Sequence, residues 1–330
     1  MGTRRREADR PSQLSARAWF DTLVRVREEL GKDNTSVVAA GVAFFAMLAI
    51  IPAITAVVSM WAVFADPQTV AGQLAAFSSL FPPDARRILE QELSRIASQS
   101  TRDLSVAALS SIVLAVWSAS RATKAMIGAV NRAYDERTRR GFLRTQALGL
   151  LFTFAVVVAT AIAIAAIVAV PWLAGRLQIP AGILAIIELA RWPILCVLMF
   201  FGIGALYRYA PSRSRAEGRW ITWGAVVATA LWLLGSLSFA SYVSWFPSMT
   251  ASYGSLTAAV VLLLWFWISA YVVLLGAELN AEMEHQTTRD TTVGPDKPLA
   301  QRGAYVADHV GRSAPTPRWL HRARGRFRTS

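Results

Sequence analysis

The stretch IIELARWPILCVLMFFGIGALYRYAPSRSR, residues Ile186–Arg215, combines two features that seldom share a segment. Most of it is apolar over a length that crosses a bilayer, about 20 residues at 1.5 Å rise. Near its start stand Glu188, Arg191 and Pro193, a potential charge pair and a helix breaker. In water these residues are ordinary. In lipid a charged side chain costs roughly 2.5–3.5 kcal/mol on insertion scales, so it must face a bundle interior or a wet cavity. The solvent of this one segment therefore decides how the chain is read.

The rest of the sequence answers for lipid. Of 330 residues, 54% are hydrophobic and 17% charged, whereas a soluble domain carries about 25% charge. The apolar residues come in long blocks. Six segments are predicted to span a membrane: Val37–Ala65, Leu104–Ser120, Ala147–Ala174, Ala181–Tyr209, Ile221–Phe246 and Leu256–Leu279. The second is short and serine-rich, and reads as a buried span that continues as a helix beyond the bilayer. The first apolar run follows some 36 mostly polar residues, without a short apolar core and cleavage site, so it reads as a retained span. One cysteine, Cys196, leaves the redox compartment unreadable.

The net charge of +13 is unevenly placed. Of 34 Lys and Arg, 28 fall in the N-terminal segment, the connections after spans two and four, and the C-terminal tail. Five fall in the other connections. This asymmetry predicts that both termini are cytoplasmic. The basic charge then reads as a topology signal and as attraction to anionic headgroups at the cytoplasmic face. No nucleic-acid partner is expected.

Outside the bilayer, Gln13–Leu30 places Trp19, Leu23, Val26 and Leu30 at helical spacing. It predicts an amphipathic helix, either lying in the interface or packed under the bundle. The first outer loop, Asp66–Asp103, contains a helix start at Pro83 and Asp84 and predicts a short extramembrane helix. From residue 286 the chain turns to Arg, Gly, Pro, Ser and Thr without apolar periodicity, which predicts a disordered basic tail. The expected organisation is a cytoplasmic N-terminal segment (1–36), a six-helix membrane domain (37–285) and the tail (286–330).

Several polar residues at membrane depth are candidates for function. Glu188 and Arg191 lie three apart and can pair on one helix face. With the kink at Pro193 they form either a polar site open to the outer leaflet or a neutralised pair that pins helix packing. Pro52 is expected to kink the first span. Glu278 and Asn280, in GAELN at the end of the last span, read as a hydrogen-bonded helix end or as a gate. Arg121 and Lys124, following WSAS, could pair with Glu278 or bind inner-leaflet phosphate.

Three stretches carry a family resemblance: AAGVAFFAMLAIIPAITAVVSMW at Ala39–Trp61, WSASRATKAMIGAVNRAY at Trp117–Tyr134, and YGSLTAAVVLLLWFWISAYVVLLGAELNAEME at Tyr253–Glu284. With RWP at Arg191–Pro193 and YRYAP at Tyr207–Pro211, the chain resembles the YihY/BrkB family of bacterial inner-membrane proteins. That resemblance implies six membrane helices and an inner-membrane location. It also implies a link to envelope lipid handling or transport, and an older label of ribonuclease BN. The residues do not support the last. RNA hydrolysis needs clustered metal ligands or a His acid–base pair, and the three histidines, His285, His309 and His321, all lie near the C-terminus without metal-ligand spacing. No catalytic constellation, cofactor motif or metal site is expected. The expected function is transport or translocation of an amphipathic, anionic envelope component, with a non-transporting membrane scaffold as the rival and a ribonuclease as the weakest reading.

Overall fold

The computed structural model describes residues 11–64, 101–136, 140–176, 180–214, 216–244 and 255–311. A 3-10 turn (Pro11–Gln13) leads into α1 (Ala16–Lys32). Six long helices follow among the described residues: α2 (Thr35–Phe64), α3 (Thr101–Ala133), α4 (Phe142–Arg176), α5 (Ala181–Tyr209), α6 (Gly218–Ser244) and α7 (Ser255–Glu284). A single-turn helix, α8 (Tyr305–Asp308), closes the described chain.

Four of these helices contain stretches long and apolar enough to cross a membrane: Thr35–Ala56, Phe142–Ile162, Trp220–Val243 and Ala259–Glu284. In α5 the apolar stretch is shorter, Pro193–Tyr209. Large apolar side chains point outward along them, among them Phe44, Leu151, Phe154, Phe201 and Leu234. Apolar surface of this extent marks contact with a membrane or a partner, and on helices this long and apolar it fits lipid. The second predicted span does continue as one helix beyond its apolar part, since α3 runs unbroken from Thr101 to Ala133. Its serines and the charges of Arg121 and Lys124 dilute it, and it packs along α2, its most extensive neighbour. Helices α2 and α5 run through Pro52 and Pro193 without a break.

The centre of the bundle is α7, which touches α1, α2, α3, α6 and α8. Every residue from 276 to 287 is buried. Where α7 crosses α6 the two backbones meet through small residues. A Cβ on Gly276 would lie 2.8 Å from Ala228 Cβ and 2.8 Å from the Gly224 carbonyl oxygen. A Cβ on Gly224 would collide with the Gly276 carbonyl and with Asn280. In lipid, where apolar burial gives helices no reason to associate, this close approach is the main source of helix–helix attraction.

Helix α1 begins at Ser15, whose hydroxyl accepts the Ala18 N–H at 3.3 Å. It ends at Asn34, whose φ of 50° turns the chain directly into α2. Of its two predicted placements, packing under the bundle holds for the face carrying Asp21, Thr22, Arg25 and Val26, which are buried. Of the predicted apolar stripe, Val26 is buried and Trp19 and Leu30 pack against the same cluster, while Leu23 is 57% exposed.

The tail differs from its predicted disorder. Residues 286–311 fold back over the end of the bundle where the two described termini meet, here called the terminal end. Arg302 organises this segment, donating to the carbonyls of Thr288 (2.7 Å), Arg289 (2.9 Å), Lys297 (3.0 Å) and Ala307 (2.7 Å). Gln286 Nε2 donates to the Ala18 carbonyl at 3.1 Å, and Glu136 accepts the Tyr305 N–H at 2.6 Å. This segment is held by one buried arginine and by backbone hydrogen bonds, which leave no apolar periodicity in the sequence. Residues 312–330 and the predicted helix in the first outer loop (65–100) lie outside the described residues.

Candidate functional site

The predicted polar pair on α5 is only partly visible. Glu188 and Arg191 lie on the helix, but their side chains lie outside the described residues. Pro193 is exposed on the outward surface, as are Ile186, Leu189 and Val197.

The terminal end is better defined, and it divides the other candidates. Asn280 is the hydrogen-bonded helix crossing: its Oδ1 accepts the Gly224 N–H at 2.8 Å and its Nδ2 donates to the Ile221 carbonyl at 3.2 Å. Among the described residues Lys124 pairs with neither Glu278 nor another acid. Its Nζ donates to Gln146 Oε1 at 2.7 Å, and its stem lies against Gly149, so it joins α3 to α4. The Arg121 guanidinium stacks over the Trp117 ring of its own helix at 5.2 Å. Glu278 is buried and makes neither a hydrogen bond nor an ion pair among the described residues. It borders a cavity of about 10 Å³, shared with Asp33, Thr35 and Arg132. That is room for a single water.

Two further acids on α7, Glu282 and Glu284, are fully paired. Arg25 of α1 pairs with Glu282 through Nε, and its Nη2 donates to the Glu282 carbonyl at 3.1 Å. Arg213, in the α5–α6 connection, grips Glu284 with two bonds of 2.9 and 2.7 Å, and Thr291 donates to the same carboxylate at 2.9 Å. Only 2% of the Arg213 side chain and none of Glu284 reaches solvent. The Arg213 guanidinium also lies 4.4 Å from the centre of the Tyr134 ring. Burial alone would lower the Arg213 pKa, but the charge of Glu284 overcomes this and raises it. One signal in the sequence pointed here: NAEME places two acids at the end of a span with no Lys or Arg before Arg289, which leaves room for partners from elsewhere in the chain.

His285 adds a titratable element outside the spans. Burial, helped by the Arg25, His309 and Arg213 charges, pushes its pKa down to about 4 from 6.5. Glu282 lies 3.9 Å away but does not offset this. The neutral form is favoured when folded, so this contribution is complete above pH 6.5. Below that pH an unfolded His285 takes up a proton that the folded one refuses, and stability falls until about pH 4. Up to roughly 3 kcal/mol is at stake. Thermal unfolding in detergent across this window should show the loss, and His285→Gln should flatten it; a variant as acid-sensitive as wild type would exclude His285 as the source.

Among the described residues no group of three or more His, Cys, Asp or Glu converges on a point that could hold a metal ion.

These features define an all-helical, multi-pass membrane protein whose terminal end is closed by buried ion pairs and a glycine crossing. Residues 26–300 match the family described as Virulence factor BrkB, and the chain belongs to that family. Among its relatives, a Bacillus subtilis protein named "Putative ribonuclease-like protein YfkH" is 29% identical over 249 residues, covering 74% of this chain and 88% of the relative. A "UPF0761 membrane protein" of Cronobacter sakazakii is 26% identical over 298 residues, covering 89% and 94%. Another of that name from Aeromonas salmonicida is 29% identical over 255 residues, covering 76% and 84%. No solved structure matches the chain. The protein is a multi-pass protein of the bacterial inner membrane.

Proposed function

We propose that the chain crosses the inner membrane six times with both termini in the cytoplasm, and that it transports or translocates an amphipathic, anionic component of the envelope. The observation that carries the reading is Glu278. Its neighbours on α7, Asn280, Glu282 and Glu284, all have partners from other elements of the fold. Glu278, equally buried and on the same membrane helix, has none among the described residues. A buried carboxyl left without a partner near the end of a membrane helix is costly, and ionisable residues within membrane helices mark proton relays and substrate paths. A static scaffold has no use for it; a transport cycle that exchanges a proton or opens a water path does. In this reading Glu188 and Arg191 form the polar element toward the opposite leaflet.

The rival reading, a membrane scaffold for envelope assembly, draws support from the closed Gly224–Gly276 crossing and the saturated ion pairs beside it. Glu278→Gln separates the two. The change keeps shape and removes the ionisable group, so the protein should insert and unfold at a temperature equal to or above that of wild type. It should fail to complement a deletion strain. A variant that complements fully would remove Glu278 from any cycle and leave the scaffold as the better account.

A further inference from the structure

A second cavity, of about 210 Å³, lies at the terminal end between the start of α4 and the end of α5. At roughly 30 Å³ per water it has room for about seven waters, enough for a phosphate group that keeps part of its hydration. Its walls carry four arginines, Arg140, Arg144, Arg208 and Arg213, with Leu148 and Tyr209, and among the described residues no carboxylate lines it.

The four arginines are not equivalent. Arg213 is neutralised by Glu284. Arg140 holds the end of α5 and the turn after it, donating to the carbonyls of Tyr209 (3.0 Å), Ala210 (2.7 Å) and Pro211 (2.7 Å). Its charge is thereby fixed in place but not cancelled. Burial, together with the Arg144 charge, lowers its pKa, the response of a cation held beside another without a counter-ion. Arg208 leaves its Nε buried without a hydrogen-bond partner among the described residues. Arg144, in the first turn of α4, makes no hydrogen bond or ion pair among the described residues and is exposed. The first turn of α4 adds the positive end of a helix dipole to the same side. Leaving a buried guanidinium donor unmade costs about 1–3 kcal/mol or more, and like charges this close repel. An anion removes both costs at once.

The cavity also adjoins apolar surface. Leu148 lies one turn beyond Arg144, and Leu151 and Phe154 continue outward along α4, both exposed. From the other wall, Phe201 and Val197 face outward along α5. A phosphate seated among the arginines would have alkyl chains directed along the lipid-facing grooves of α4 and α5.

We propose that Arg140, Arg144 and Arg208 form a phosphate-binding site whose ligand is the headgroup of an anionic phospholipid. This deepens the transport reading by giving its substrate or a lipid cofactor a seat. Binding is measured without any transport assay, so either can fail alone. The test is native mass spectrometry of the full-length protein in detergent, titrated with phosphatidylglycerol, with phosphatidylcholine, and with phosphatidylglycerol in the presence of inorganic phosphate. Wild type should prefer phosphatidylglycerol. Arg144→Gln/Arg208→Gln should weaken that binding at least tenfold, while Arg27→Gln, an exposed arginine on α1, should leave it unchanged. Displacement by inorganic phosphate would keep the site and reassign its ligand to soluble phosphate; resistance to it confirms the lipid. Arg144→Gln alone breaks no described contact, and it decides the matter should the double variant misfold. Unchanged phosphatidylglycerol binding in whichever folded variant is measured overturns the proposal.

Discussion

Replacing Glu284 with Ala is expected to destabilise the protein by about 3–5 kcal/mol. The carboxylate accepts two bonds from Arg213 and one from Thr291, and both charged side chains are almost wholly out of solvent. Removing it strands a guanidinium against the Tyr134 ring without a counter-charge. The loss is dominated by that stranded charge, because a buried pair gains little net energy over apolar residues of the same volume. The double replacement Arg213→Met/Glu284→Leu should therefore recover most of the stability that Glu284→Ala loses. Thermal midpoints of the purified variants in detergent measure both changes. A double variant as damaged as the single one would mean that the pair serves the fold through its geometry, by fixing the α5–α6 connection onto α7, and not through charge balance.

Gly276→Val is expected to abolish the native packing of α6 on α7. Even a single methyl group at this position meets the Tyr207 hydroxyl, Ala228 Cβ at 2.8 Å and the Gly224 carbonyl at 2.8 Å. Two of those obstacles cannot rotate away, and Tyr207 is held by its own 2.5 Å bond to the Val273 carbonyl. The helices must separate, which breaks the Asn280 bonds to Gly224 and Ile221. Overpacking alone costs about 1–3 kcal/mol, and the stranded Asn280 polar groups add about 1–3 kcal/mol. Gly128→Ala on α3 is the control. Nothing lies within 4 Å of its new Cβ, so the change should be neutral or stabilise by about 0.5–1 kcal/mol through helix propensity. Size-exclusion profiles and thermal midpoints in detergent compare the two. A Gly276→Val protein as stable as wild type would show that the crossing is not what joins these helices.

The same crossing shows how far the sequence could be read. Long apolar blocks marked the membrane helices because lipid leaves a backbone no alternative but internal hydrogen bonding. The extension of α3 beyond its apolar part was legible too, since nothing in ASRATKAMIGAVNRA breaks a helix. Gly276 stood in plain view within GAELN, but a lone glycine in a helix carries no record of what approaches it.

The candidate site divides in the same way. Glu278 and Asn280 stood out from the sequence because polar residues at the end of an apolar run must be satisfied or used. Which of these applied to each depended on α6: Asn280 faces the Gly224 backbone and is satisfied, while Glu278, two residues earlier, faces the small cavity near Asp33. The partners of Glu282 and Glu284 lie 257 and 71 residues away, distances over which no local pattern operates. The basic cavity was hidden for a further reason. Arg140, Arg144 and Arg208 counted only toward the charge asymmetry of the connections. The sequence by itself determined that the chain is an all-helical membrane protein with an uneven distribution of charge, because these follow from composition along a continuous stretch. Only the tertiary structure decided which charges neutralise each other and which remain unmatched, because that depends on which helices meet, and close approach at Gly224 and Gly276 selects among many pairings that the apolar surfaces alone would accept equally.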